Sequence, residues 1–282
     1  MILFKHSKDL QFHLHKIKKQ KITTGFVPTM GALHAGHLAL IAQSKLKTGL
    51  TICSIFVNPV QFNNPDDYKK YPITIEKDIL LLEENGCDIL FLPEEEEIYP
   101  NTDSKNKHYE LGYLETVLEG KFRPGHFQGV CMAVERLLEI VEPDYLFLGQ
   151  KDYQQCLIIK RLVAIMKKNI RIIISPTLRE PSGLALSSRN LRLSLDEKNI
   201  ASELYKTLEH IKNDLPFQNL SQLKNDAIKH LESIGFIVDY LEIARPLNLT
   251  TADNYKAGED LIILVAAFLN NVRLIDNLIV TA

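Results

Sequence analysis

The apolar positions of this 282-residue chain fall into two regimes. Up to about residue 177, short continuous apolar runs (22–27, 51–57, 88–92, 145–148, 171–175) alternate with longer runs of helical period (38–46, 74–84, 130–141, 153–166). Continuous β-branched or aromatic runs mark strands buried on both faces, and apolar residues three and four apart mark helices lying on them. That alternation predicts an α/β domain over 1–177, a Rossmann-like doubly wound parallel sheet in which ligands collect at the carboxyl ends of the strands. Beyond it the period changes. Ser194-Leu195-Asp196-Glu197 is a capping box opening a helix that runs towards Lys212. A second helix covers 220–233, and strand-like runs follow at 237–243, 261–267 and 273–280. The stretch 178–282 therefore reads as a second, smaller α+β domain with an antiparallel sheet.

Composition narrows the class. With 45% hydrophobic and 24% charged residues, the chain has the make-up of a compact globular protein. Its 33 basic and 35 acidic residues leave a net charge of -2, which predicts neither a nucleic-acid nor an anionic-membrane partner. Cys53, Cys87, Cys131 and Cys156 lie far apart inside strand-like and helix-like runs. They read as buried free thiols, which fits a reducing cytoplasm. No run approaches membrane-spanning length, and the apolar start is too short for a signal peptide, so a cytoplasmic location is expected. The lysines at 16, 18, 19 and 21 and the acidic run 94–97 read as solvated faces.

The candidate chemistry sits in loops that follow the strands. Pro28-Thr29-Met30-Gly31-Ala32-Leu33-His34-Ala35-Gly36-His37 falls where the first strand hands over to a helix. A helix start presents unpaired N–H groups and the positive end of the macrodipole, and so favours an anion such as phosphate. His34 and His37 add donors on the same first turn, and Gly36 leaves room for close approach. Two histidines three apart also fit a metal pair, though no third ligand stands near; they also fit plain helix-end residues. In Asn58-Pro59-Val60-Gln61-Phe62, Gln61 carries a donor and acceptors suited to a hydroxyl or carboxylate, while Asn-Pro is itself a turn initiator. Arg123-Pro124-Gly125-His126-Phe127 offers an anion-binding arginine or a plain helix-start loop. Gly149-Gln150-Lys151-Asp152 precedes Gln155 by one helical turn. There Lys151 can bring a point charge to phosphate, or Asp152 can simply cap the helix. Leu186-Ser187-Ser188-Arg189-Asn190 supplies two hydroxyls and a guanidinium, a polyphosphate clamp or a capped turn. Each signal is modest alone. Their placement at successive strand ends points to one nucleotide site.

In this order the motifs resemble the pantoate–β-alanine ligases, collinearly from about Val27 to Asn190. The His-x-Gly-His element alone marks only the wider nucleotidyltransferase superfamily. The resemblance implies a two-step reaction in which ATP and (R)-pantoate give pantoyl adenylate and pyrophosphate, and β-alanine then releases AMP and pantothenate. It implies an ATP site lined by Met30, Gly31, Ala32, Leu33, His34, Ala35, Gly36, His37, Gly149, Gln150, Lys151, Asp152, Leu178, Leu186, Ser187, Ser188 and Arg189. His37, His34, Lys151, Ser187, Ser188 and Arg189 would carry the catalysis, and Gln61 and Gln155 would hold pantoate. Mg²⁺ is expected on the ATP phosphates without a committed protein ligand, Asp78 being a carboxylate it could recruit. A homodimer with a lid-like C-terminal domain is implied as well. Ile73 departs from the pattern, standing where a basic residue is common. Two rivals remain at this point. One is a superfamily member whose product keeps the nucleotide, which leaves Gln61 and Gln155 without a task. The other is a nucleotide-sensing binding protein, in which loss of the phosphate-facing groups would be expected.

Overall fold

The computed structural model describes residues 1–101 and 105–281. It divides into two compact units, one formed by Met1–Gly149 and Ile158–Ser175, the other by Gln150–Leu157 and Pro176–Ala282.

The first unit holds six strands, β1 (Ile2–Phe4), β2 (Thr24–Thr29), β3 (Leu50–Ile55), β4 (Ile89–Phe91), β5 (Tyr145–Gly149) and β6 (Arg171–Ser175), in the order β1-β4-β3-β2-β5-β6. Every pairing is parallel. Helices flank the sheet, and Val27, Ile41, Cys53, Leu82, Leu90 and Phe147 pack in its core. Strand order reverses between β2 and β5, and at such a switch point open parallel sheets take ligands at the carboxyl ends of their strands. Five of the six strands were expected from the apolar runs. The sixth, β1, is a short edge strand with Ile2 and Leu3 exposed, so it carries too little buried pattern to be recognised.

Local departures have local causes. β2 ends at Thr29, two residues later than its apolar run, with Pro28 inside it. The Thr29 carbonyl accepts from Phe56 N on the β3 side, so the Pro28 nitrogen faces β5. Pairing with β5 covers only Gly25 and Phe26, and the missing donor costs no ladder bond. The acidic run 94–97 is exposed at Glu94 and Glu96, as expected. It forms the short helix Glu95–Ile98, and there the partly exposed Glu97 accepts from Ser7 N at 2.8 Å.

In the second unit β7 (Phe236–Ala244), β8 (Leu261–Leu269) and β9 (Val272–Val280) form an antiparallel sheet in that order. Leu204, Leu208 and Ile211 of one helix and Leu223 and Leu231 of another share a core with Ile263 and Val265 of β8. The Ser194–Glu197 capping box is present, but the helix it opens stops at Ala201 and a second runs Glu203–Asp214. The apolar run 261–269 is the buried central strand β8. All four cysteines are free and buried.

Candidate active site

The turn after β2 is built on a buried carboxylate. Gly31 (φ +79°) and Ala32 (φ +48°) are both in the left-handed region, and a Cβ on Gly31 would lie 3.1 Å from an Asp78 oxygen. This backbone turns the N–H groups of Ala32 and Leu33 inward, where they donate to Asp78 Oδ2 and Oδ1 at 2.8 Å each. Thr74 Oγ1 donates to the same carboxylate at 3.0 Å, and Asp78 is fully buried. Hydrogen bonds to a buried anion are the strong kind, and they hold an alanine where alanine is disfavoured.

The turn delivers the chain to the helix Ala35–Lys47 with His34 at its N-cap. His34 Nδ1 accepts from Gly36 N at 3.1 Å, and His37 Nδ1 accepts from the His34 N–H at 3.3 Å. Two imidazoles thus form the reciprocal capping box usually made by a hydroxyl and a carboxylate. A backbone N–H can only donate, so both Nδ1 atoms are unprotonated and each neutral ring carries its hydrogen on Nε2. The ring centroids lie 4.0 Å apart. This helix begins three residues before its apolar run because the histidines cap it.

A second turn follows β3. Asn58 is buried, and its Oδ1 accepts from Val60 N at 3.2 Å and from the Tyr99 hydroxyl at 2.7 Å. Its Nδ2 donates to Gly129 O and to Gln61 Oε1 at 3.0 Å each, while Gln61 Nε2 lies 3.1 Å from Met30 Sδ. Gln61 is thereby oriented from both ends of its amide. The helix His126–Val141 abuts this turn, since a Cβ on Gly129 would meet Val60 O at 2.6 Å. His126 Nδ1 is 2.8 Å from Gln61 O and its Nε2 is 3.1 Å from Arg123 Nη1. A guanidinium only donates, so Nε2 accepts and the Nδ1–H donates to the Gln61 carbonyl. Its tautomer is opposite to that of His34 and His37. Arg123 pairs in turn with Glu119 at 3.5 Å.

In the second unit, Gln150–Asp152 is a 3-10 turn in which Lys151 Nζ lies 3.8 Å from Asp152. Asn277 of β9 donates to the carbonyls of Gln150 and Lys151 at 3.0 and 2.8 Å, and accepts from Gln150 Nε2 at 3.2 Å. Leu186 N donates to Leu178 O at 3.0 Å, and Arg179 bridges Ala185, closing a hairpin that leads into Ser187. Ser187 Oγ accepts from Arg189 N at 3.3 Å, so this hydroxyl caps the turn Ser188–Arg192. Arg179 grips Asp276 with two bonds of 2.6 and 3.0 Å. Burial pushes the Asp276 carboxyl above its usual range, and Arg179 opposes that shift.

The comparisons with known proteins decide the family. A family model described as pantoate-beta-alanine ligase matches residues 2–279. The chain is 43% identical over 283 residues to a pantothenate synthetase of Cytophaga hutchinsonii, covering 99% of each chain. The chain belongs to the pantoate–β-alanine ligase family.

Solved members of the pantoate–β-alanine ligase family agree. The pantothenate synthetase of Thermus thermophilus superposes with a TM-score of 0.90 at 37% identity over 99% of both chains. The pantoate-beta-alanine ligase of Francisella tularensis, solved with beta-gamma ATP and beta-alanine, gives 0.82 at 40% identity over 99% of this chain and 97% of that one. Within this ligase family member, Met30–His37 and Gln61 come together in the first unit through the Met30–Gln61 contact. Gln150, Lys151, Asp152, Gln155, Leu178, Leu186, Ser187, Ser188 and Arg189 lie in the second unit. Asp78, Asn58, His126 and Asn277 support these residues yet stood outside the candidate set. Among the described residues no three His, Cys, Asp or Glu side chains gather as a metal cage, and both Asp78 oxygens already accept backbone hydrogens. No helix among the described residues is long and apolar enough to cross a membrane.

Proposed function

We propose that the chain joins (R)-pantoate to β-alanine at the expense of ATP, through a pantoyl adenylate. One observation carries the catalytic reading: two imidazoles cap a helix start through Nδ1, which leaves the ring hydrogen of each on Nε2. Free carboxylates do not acylate amines in water because the leaving group is too poor. Attack of the pantoate carboxylate on the α-phosphorus breaks the bond to pyrophosphate and installs AMP as the leaving group. The β-alanine amine, unprotonated, then adds to the acyl carbon, AMP departs, and the amine gives up its proton.

In this reading His34 and His37 donate hydrogen bonds from Nε2 to phosphate oxygens as charge builds on them, together with the helix start. A neutral imidazole holding only Nε2–H is a poor acid, so stabilisation, not proton transfer, is their task. Residues 30–37 and Gly149, Gln150, Lys151 and Asp152 handle ATP, with Lys151 meeting phosphate and the 178 and 186 backbones meeting the nucleoside. Ser187, Ser188 and Arg189 close over the outer phosphates. Gln61 and Gln155 hold the pantoate hydroxyls and carboxylate, and the amide orientation of Gln61 supports this. Mg²⁺ enters as part of the ATP substrate, held by phosphates and water, since no three His, Cys, Asp or Glu side chains gather as a cage among the described residues. A cytoplasmic homodimer completes the proposal; the free buried thiols support the reducing compartment.

The deciding assay is pyrophosphate release from ATP with pantoate alone, followed by AMP release when β-alanine is added. A stable product that keeps the nucleotide overturns the ligase reading in favour of another nucleotidyltransferase. In the same assay His37→Ala lowers the adenylation rate by about 10²-fold. His34→Asn keeps a cap acceptor but has no Nε2–H, and falls comparably. Wild-type rates in both variants remove the imidazoles from the mechanism.

A further inference from the structure

We propose that Asn277, assisted by its neighbour Asp276, is a positioning residue that holds the nucleotide-handling segments of the second unit from the last strand of the chain. The inference rests on the ATP roles proposed above for residues 150–152 and 186–189. Asp276 and Asn277 interrupt an apolar strand, and they are 4% and 2% exposed. A strand that only needed to pack would place apolar side chains here, since replacing a buried ion pair by well-packed apolar residues is often neutral or stabilising.

The two side chains divide the work. Asn277 spends both amide hydrogens on the carbonyls of Gln150 and Lys151 and its oxygen on Gln150 Nε2. Those carbonyls belong to a 3-10 turn, so the amide fixes the path from which the Lys151 side chain departs. Asp276 fixes Arg179, whose guanidinium also donates to Asn277 O at 3.2 Å and Gly183 O at 3.1 Å and lies 3.8 Å over the Tyr205 ring. Arg179 is one strand of the hairpin that leads into Ser187. Two adjacent residues therefore set both the lysine turn and the serine–arginine turn.

Steady-state kinetics of the full chain test this. Asn277→Ala leaves two carbonyls without their donor and raises KM for ATP about tenfold, while KM for pantoate and β-alanine holds. Asn277→Asp sets a carboxylate against two carbonyl oxygens and shifts KM for ATP further. Leu274→Ala, on the same strand, lowers the melting temperature without that selective change, which separates positioning from stability. An unchanged KM for ATP, or an equal loss for all three substrates, overturns the proposal. Lys151→Ala tells its failure from that of the underlying reading. If Lys151→Ala is silent, the ATP role of this turn falls, and the positioning role with it. If Lys151→Ala is impaired while Asn277→Ala is not, the positioning role alone falls.

Discussion

The two units hold their candidate segments by chemically opposite clamps. In the first, a fully buried carboxylate, Asp78, gathers backbone donors from the turn ahead of His34. In the second, a buried amide, Asn277, gives its hydrogens to backbone acceptors beside Lys151. The difference follows from the backbone. A left-handed turn at Gly31 and Ala32 points N–H groups inward, and only an acceptor can satisfy them. The 3-10 turn Gln150–Asp152 leaves carbonyls to be met by a donor. A charged acceptor makes bonds roughly twice as strong as a neutral one, so the first clamp should be the more costly to lose.

Asp78→Asn tests that ranking most severely. The substitution keeps the volume but turns one oxygen into an NH₂ group facing a backbone N–H. The expected loss is about 2–4 kcal/mol of unfolding free energy, because a buried donor is left without its acceptor. Denaturant melts of Asp78→Asn and Asn277→Ala side by side give the comparison directly. If Asn277→Ala costs as much as Asp78→Asn, charge is not what separates the two clamps.

A smaller effect comes from the third imidazole, which clamps with a donor although it lies in the first unit. His126→Phe removes the bond to the Gln61 carbonyl and raises KM for pantoate by about tenfold, the equivalent of one ordinary buried hydrogen bond. His126→Asn places an amide N–H near the position of Nδ1 and restores part of the loss; His126→Gln, whose amide lies near Nε2, does not. Equal behaviour of the Asn and Gln variants contradicts the assigned tautomer.

What could be read from the chain divides along the same line. Groups proposed to meet ligand were legible because they sit in short motifs directly after apolar runs: His34 and His37 after β2, Gln61 after β3, Lys151 after β5. Their supports were not. Asp78, noticed only as a carboxylate that magnesium could recruit, lies 46 residues from Ala32 inside an ordinary amphipathic helix, and nothing local says that it meets backbone donors there. Asn277 lies 127 residues from Gln150, in a strand that otherwise reads as core. His126 was noticed, but nothing local says that it faces Gln61. Ser187 shows the reverse case, since capping, the plainer alternative, is what its hydroxyl does in the structure. Elements were legible where burial imposed a period. β1 escaped because an exposed three-residue edge imposes none.

The smallest effect isolates burial from chemistry. Glu97 repeats the Asp78 arrangement at the surface: its Oε2 accepts from Ser7 N at the first turn of the helix Ser7–Lys19, and its Oε1 lies 3.0 Å from His6 Nδ1. The bonds from Ser7 and His6 lower the Glu97 pKa from 4.5 to about 2. A depressed carboxyl contributes stability that is present above its unfolded pKa and lost as pH falls through the folded one. The stability difference between wild type and Glu97→Gln should therefore be full above pH 4.5 and fade towards about pH 2. His6 works in the other sense. Its pKa is raised above 6.5, chiefly by the bond to Glu97, so its share is full below 6.5 and declines as pH rises through the raised value. The pair should thus stabilise most between those limits, and by less than the buried Asp78 clamp, since water screens it. Urea melts of both proteins across this range measure the difference. A difference that stays flat below pH 4.5, or one as large as that of Asp78→Asn, breaks the claim that burial gives the same carboxylate clamp its strength.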